Sequence, residues 1–206
     1  MNRLFYPLLF TLLIMACGQG SNTKEGNEAE SADATEGAND HAGHAMASSE
    51  DETNKSVKSP HTSAMAMVEG AHIHIDYSSP RVRGRVIFGG LVGFDQVWVS
   101  GAHRATWIET NKDLIIEGNP LPAGKYGLFT IPGKEEWTVI LNTRWDQHGA
   151  DEYSVEEDVM RFSAKPEIQE SKEELTYTVK KTGDNEGSIS LEWAEVKLSF
   201  DFNVKE

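Results

Sequence analysis

Residues 72–77 read His-Ile-His-Ile-Asp-Tyr, and this stretch decides the fold class. Polar and apolar side chains alternate along it with a period of two, which is typical of a β-strand with one buried face. The same alternation returns at residues 137–142 and 174–179. The repeated pattern predicts a protein built from sheets rather than from helices.

Further short runs that are rich in β-branched and aromatic residues predict additional strands, separated by turn-forming residues. These runs are residues 83–88, 106–109, 113–117, 126–131, 158–163, 188–193 and 195–202. Residues 153–161 are the best candidate for a short helix. About nine or ten short strands without long helices predict an all-β fold, an antiparallel β-sandwich, with a closed barrel as the alternative.

The polar face of residues 72–77 carries a candidate metal site. On a strand, His72 and His74 share one face with Cα atoms ~6.5 to 7 Å apart, so both imidazoles can reach one ion. Asp76 is placed to serve as a third ligand or as the hydrogen-bond acceptor of a ligating imidazole. The alternative is a solvated polar face with no ligand.

Three arginines follow at alternate positions, Arg81, Arg83 and Arg85. On an extended chain they form a row of guanidinium groups, an arrangement that binds carboxylates or other anions bidentately. The alternative is that they pair with the domain's own carboxylates, because 24 acidic side chains face 15 basic ones from residue 68 onward.

Several ordered segments of the chain resemble a known family. They read Ser-Pro-Arg-Val-Arg-Gly-Arg at 79–85, Ile-Phe-Gly-Gly-Leu-Val at 87–92, Val-Trp-Val-Ser-Gly-Ala-His-Arg-Ala-Thr at 97–106 and Leu-Pro-Ala-Gly-Lys-Tyr-Gly-Leu-Phe-Thr-Ile-Pro at 121–132. Over about residues 70–202 the chain resembles the domain-of-unknown-function family 2911, whose members are secreted or lipid-anchored bacterial proteins. The resemblance implies an envelope location and no particular activity. It departs from the family at His103-Arg104, where members usually carry Asn-Glu.

The N-terminus predicts export and lipid anchoring. Residues 4–16 form an uncharged, mostly apolar run, which suits a signal peptide and is shorter than the ~20 residues that span a bilayer as a helix. The run ends in Ile-Met-Ala before Cys17, the only cysteine of the chain, and this ending resembles the bacterial lipobox. We expect a lipidated Cys17 and a cell-envelope location, at the outer membrane and facing either the periplasm or the cell surface. The alternative is an ordinary signal peptide with an incidental cysteine.

A polar, acidic segment follows the anchor. Residues 18–67 contain no Trp, Tyr, Phe, Ile or Leu, and residues 18–60 carry nine acidic against three basic side chains. Such a segment cannot bury enough apolar surface to offset the entropy of ordering, so it predicts a disordered linker. The predicted organisation is a signal peptide at 1–16, a lipidated linker at 17–67 and a sandwich domain at 68–206.

Metal-binding side chains recur within this linker, where His41, His44 and Met46 lie within six residues. A looser repeat follows in the chain: His61, Met65 and Met67. Imidazole combined with thioether favours copper, with the soft sulfur selecting the cuprous ion. Together with His72 and His74, these residues predict a site for copper or another transition metal. The alternative is that the histidines and methionines are incidental.

Charge and motifs argue against several other functions. A net charge of −14 disfavours a nucleic-acid partner, which requires clustered basic residues. The chain has no Gly-x-Ser-x-Gly elbow, no phosphate-binding glycine loop and no His-Glu-x-x-His motif. The sequence therefore predicts a non-catalytic binding module of the cell envelope. The alternatives are a structural or protein-interaction domain and, less favoured, a hydrolase or carbohydrate-active enzyme.

Overall fold

The structure is a computed structural model that describes residues 59–205. Within that range the chain forms ten strands and one short 3-10 helix, Val155–Glu157. The strands are β1 (His61–Val68), β2 (Ala71–Ser78), β3 (Trp107–Thr110), β4 (Leu114–Ile116), β5 (Asn119–Leu121), β6 (Gly124–Ile131), β7 (Trp137–Asn142), β8 (Asp158–Ala164), β9 (Glu167–Lys181) and β10 (Glu186–Val204). The predicted all-β class is confirmed. None of the helices in residues 59–205 has the length and hydropathy of a membrane span.

The strands form two antiparallel sheets. The larger sheet has the order β1-β2-β3-β6-β7-β8 and the smaller sheet the order β5-β4-β10-β9. One hydrophobic core includes Ile73 and Ile75 from the larger sheet and Trp193 and Phe202 from the smaller. Full burial of each such side chain contributes about 1.5 to 3 kcal/mol, so this shared core is what holds the two sheets together as a sandwich.

The second strand shows the alternation that its sequence predicts. Ile73 and Ile75 are completely buried, whereas His72, His74 and Asp76 are partly exposed on the opposite face. Because successive side chains of a strand point to opposite faces, burying the isoleucines fixes the histidines on the outer surface of the larger sheet.

The sandwich begins earlier than the composition predicts. β1 pairs with β2 along its full length, so the prediction that the linker continues to Met67 is wrong. Val68 is the only buried residue of β1, and Ala64 and Ala66 pack against the core only in part. With so little apolar burial, this edge strand is held by its backbone hydrogen bonds to β2, for which the sequence has no strong signal.

Residues 83–88 do not form the predicted strand. Arg83 has a φ of 51° and Gly84 a φ of 68°, so the chain turns in the left-handed region at these two positions. Ile87 and Phe88 pack into the core instead, whereas Val86 stays exposed. Phe88 makes edge-on ring contacts with Trp137 and Trp193 at centroid distances of 4.8 and 6.0 Å.

Two other sequence expectations differ from the structure. Residues 153–161 do not form a regular helix but the short 3-10 turn followed by β8. The strands expected at 188–193 and 195–202 are one strand, β10, whose pairing with β9 shifts register around Ala194. Ala194 has a φ of 50° and forms a local β-bulge. The bulge interrupts the alternation of the sequence, so periodicity alone predicts two strands where there is one.

Candidate functional site

The pairing of β1 with β2 places two methionines against the two predicted histidine ligands. Met65 is the partner of His74, and Met67 is the partner of His72. Directly opposite residues of an antiparallel pair have Cβ atoms about 4.5 to 5.5 Å apart. Two thioethers and two imidazoles therefore share one small area of sheet surface, which we call the Met/His patch.

The two imidazoles of the patch are spaced for one ion. The ring centroids of His72 and His74 are 5.9 Å apart, with an interplanar angle of 46°. A metal–nitrogen bond of about 2 Å puts the ion roughly 3 Å from each centroid, so two imidazoles on one ion have centroids about 5 to 6 Å apart. The rings lie within that range.

The thioethers of the patch are open to solvent. Met65 is 56 % exposed and Met67 is 59 % exposed, while both histidines are half-buried. Single exposed apolar side chains are common on protein surfaces. Two adjacent methionines that each face a histidine form a soft donor set that an incoming ion can reach without any movement of the core.

Aromatic residues border the patch on its β3 side. The His74 ring lies edge-on to Trp107, with centroids 5.0 Å apart. Lys125 Nζ lies 3.3 Å from the centroid of Trp107 and 3.9 Å from that of Trp145, a cation–π arrangement. Glu109, which lies on β3 with Trp107, is the partner of His74 on β2 and supplies a nearby carboxylate.

Asp76 does not complete the donor set as the sequence predicts. Its Oδ1 lies 2.7 Å from Nε2 of His61, so this carboxylate is paired with a third histidine. Within residues 59–205, no group of three or more His, Cys, Asp or Glu side chains is placed to hold a metal ion. Among the described residues, each of the two imidazoles at His72 and His74 faces one thioether across the strand pair.

The other predicted ligands of the metal site, His41, His44 and Met46, lie outside the described residues, as does the predicted lipidation site, Cys17. Their roles remain sequence predictions.

The predicted row of arginines does not form, because the chain turns at Arg83. Arg81 is ion-paired with Glu174 on β9. This is the pairing with the domain's own carboxylates that the sequence offered as the alternative. The backbone N–H of Arg83 donates a hydrogen bond of 2.9 Å to the carboxylate of Glu173, which fixes the turn against β9.

Arg83 and Arg85 nevertheless come together, because both line one cavity. The Arg85 guanidinium donates to the carbonyl oxygens of Val82 and Arg81 at 3.1 and 2.5 Å. His103 lines the same cavity and is not part of the Met/His patch. Sequence reasoning missed this grouping because it depends on how two irregular segments meet. The only available signal was that both segments carry the family resemblance.

Two buried tyrosines join the sheets beneath one of these segments. The Tyr177 hydroxyl donates a hydrogen bond of 2.9 Å to the carbonyl oxygen of Ser100, and the Tyr177 backbone N–H donates to the Tyr77 hydroxyl oxygen at 3.2 Å. Burial raises the pKa of both tyrosine hydroxyls above the usual value. The neutral Tyr177 hydroxyl thus holds the segment that contains Ser100, and Tyr77 in turn holds the backbone of Tyr177.

Comparison with known proteins gives one match. The model of a family described as a protein of unknown function (DUF2911) matches residues 59–202. No curated protein and no solved structure matches the chain. The matched range includes β1, in agreement with the structure, and reaches into β10. The chain therefore belongs to the DUF2911 family of proteins of unknown function.

Proposed function

We propose that this protein is a lipid-anchored, non-catalytic binding module of the bacterial cell envelope that binds cuprous copper at the Met/His patch. The observation that carries the proposal is the register of β1 and β2, which sets Met65 against His74 and Met67 against His72. The anchor is supported by the lipobox-like sequence before Cys17, and the envelope location by the resemblance to secreted and lipid-anchored family members.

The donor set favours the cuprous ion over harder metals. Thioether sulfur is a soft ligand that selects Cu(I), and imidazole is a common partner ligand for copper. Zinc sites are built from Cys, His, Asp and Glu, and no cluster of three such residues is present in the part of the chain that the structure describes. Two imidazoles and two thioethers offer copper four donors on one rigid strand pair.

The position of the patch suits an ion that is taken up and passed on. Its donors lie on the outer face of the sheet, opposite the buried isoleucines of β2, so we expect binding to require only side-chain rotations. His41, His44 and Met46 supply the same donor types earlier in the chain. A strand pair holds its donors in fixed positions, whereas a predicted linker must order itself around the ion, so the patch should be the tighter of the two sites.

Anaerobic titration of the full chain with Cu(I) against a chromophoric copper(I) chelator tests the proposal. Met65→Leu/Met67→Leu and His72→Gln/His74→Gln should each weaken binding at least tenfold. Met160→Leu, which removes a buried thioether of β8, and His148→Gln, which removes an exposed imidazole outside the patch, are the matched controls. Equal affinity of the patch variants and the controls would contradict the assignment of the site.

One observation favours the alternative of a protein-interaction domain. Val86 and Ile168 are 74 % and 81 % exposed and line the same groove. The alternative predicts that a partner co-purifies from envelope extracts with the intact chain and is lost from Val86→Ser/Ile168→Ser. It also predicts that copper affinity is insensitive to the Met/His patch, so the chelator titration separates the two functions.

A further inference from the structure

A cavity of about 340 Å³ opens between two irregular segments of the sandwich and β10. Its walls include the side chains of Arg83, Arg85, Trp98, His103 and Trp193. Pockets for small molecules have volumes of roughly 300 to 1,000 Å³, so this cavity suits a ligand at the small end of that range. It is separate from the Met/His patch and shares none of its residues.

One side of the cavity is apolar and aromatic. The rings of Trp98 and Trp193 stack with centroids 5.8 Å apart and an interplanar angle of 22°. Leu91 and Val92 extend this wall. Trp193 is only 1 % exposed, and its indole N–H has no hydrogen-bond partner within residues 59–205. A wall of this kind binds the flat or aliphatic body of an organic molecule.

The other side of the cavity carries positive charge and donors. The two hydrogen bonds of the Arg85 guanidinium go to backbone carbonyls through Nε and Nη2, which leaves Nη1 available, and Arg85 forms no ion pair within residues 59–205. The imidazole of His103 makes no hydrogen bond or ion pair in the same range. That Arg85 has no carboxylate partner among the described residues is notable in a chain of net charge −14, where acidic side chains are abundant.

Two residues of the cavity wall have backbone conformations that side chains rarely adopt. Arg83 has a φ of 51° and His103 a φ of 64°. Left-handed backbone at bulky residues persists only where the surrounding structure enforces it, and it concentrates at ligand-binding positions. The cavity therefore combines an apolar wall, a cationic wall and enforced backbone geometry.

We infer that this cavity binds a small organic acid, with the carboxylate held by Arg85 and His103 and the apolar body packed against Trp98 and Leu91. Guanidinium groups bind carboxylates through charge-assisted hydrogen bonds. A small hydrophilic anion would leave the aromatic wall without a contact, so inorganic phosphate and acetate should bind poorly. This inference does not depend on copper binding.

The test uses 3-phenylpropionate as the probe and NMR spectra of the ¹⁵N-labelled full chain as the readout. Titration should shift the backbone amide signals of Gly101, Ala102 and His103. The neutral isostere 3-phenylpropionamide should bind at least tenfold more weakly, as should acetate and phosphate. Equal binding of acid and amide would overturn the role of the cationic wall, and equal binding of acetate would overturn that of the aromatic wall.

Variants of the two cationic residues test where the carboxylate of 3-phenylpropionate binds. Arg85→Gln and His103→Gln should each weaken 3-phenylpropionate binding, by at least tenfold for Arg85→Gln. Arg104→Gln is the matched control, because Arg104 adjoins His103 in sequence but is ion-paired with Asp146 and does not line the cavity. If Arg85→Gln proves unfolded by its melting curve, His103→Gln and the acid–amide comparison decide. The absence of any shift at millimolar 3-phenylpropionate would also overturn the inference.

Discussion

Met65 lies directly opposite His74 across the β1–β2 pair, and this relationship decides whether the outer sheet face can bind a metal. Side chains alternate between the two faces of a strand, so a slip of one residue would turn Ala64 or Ala66 toward His74 and both methionines toward the core. The burial of Ile73 and Ile75 on β2 and of Val68 on β1 opposes such a slip. The core of the sandwich thus fixes the donors on its surface.

The extent of the folded domain can be checked by limited proteolysis with a protease of broad specificity. Because β1 pairs with β2 over its whole length, the resistant fragment should begin before His61 rather than near Val68. Mass spectrometry of the fragment identifies its N-terminus. A stable core that starts at Val68 would show that β1 is not part of the cooperative unit.

The proposed lipid anchor depends on a single atom, the sulfur of Cys17. Cys17→Ser removes the thioether attachment, so this variant should leave the membrane fraction and should not incorporate labelled fatty acid. Ser21→Ala, a nearby change that spares the cysteine, is the control. Unchanged membrane association of Cys17→Ser would refute the anchor.

The buried tyrosines predict an alkaline limit to stability. Burial raises the pKa of Tyr177 in the folded state, whereas tyrosine in the unfolded chain ionises near pH ~10. The unfolded state therefore loses its proton first, and the free energy of unfolding should fall as the pH rises above ~10. Urea denaturation from pH 8 to 11 should show this fall in the intact chain and a smaller fall in Tyr177→Phe. If the free energy of unfolding fell equally with pH in the intact chain and in Tyr177→Phe, the raised pKa of Tyr177 would not be its cause.

Tyr177→Phe should also lower stability at neutral pH. The substitution removes one of two hydroxyl donors to the buried carbonyl oxygen of Ser100, which keeps the hydrogen bond of 3.1 Å from Thr106 Oγ1. Because the acceptor stays paired, the loss should cost about 0.5 to 1.5 kcal/mol, the net value of one hydrogen bond. The midpoint of urea denaturation at pH 7 measures this cost, and an unchanged midpoint would show that the Tyr177 hydroxyl does not contribute to stability.

Sequence periodicity was sufficient to predict β2, the strand that carries both histidines of the candidate site. Alternation in β2 predicts both the buried isoleucines and the shared face of His72 and His74, because a period of two follows from strand geometry alone. It could not predict which side chains lie opposite the two histidines. The position of Met65 and Met67 depends on the pairing of β1, whose inward residues include two alanines and give almost no periodic signal.

Periodicity was misleading at the arginines. An i, i+2, i+4 row requires extended backbone, but Arg83 and Gly84 have positive φ angles and the chain turns there. Glycine at position 84 was the one local indication of that turn. Arg83 and Arg85 share a cavity with His103, which lies 18 to 20 positions further along the chain. Irregular backbone brings these residues together, and no sequence period exists for such backbone.

X-ray absorption at the copper edge tests the central proposal most directly. The sample is the full chain with His41→Ala, His44→Ala and Met46→Ala, loaded anaerobically with one equivalent of Cu(I), so that only the Met/His patch retains its donors. We expect a first coordination shell containing both sulfur and nitrogen, with the sulfur contribution lost in Met65→Leu/Met67→Leu. A shell without sulfur, or one that the methionine variant leaves unchanged, would contradict copper binding at the Met/His patch.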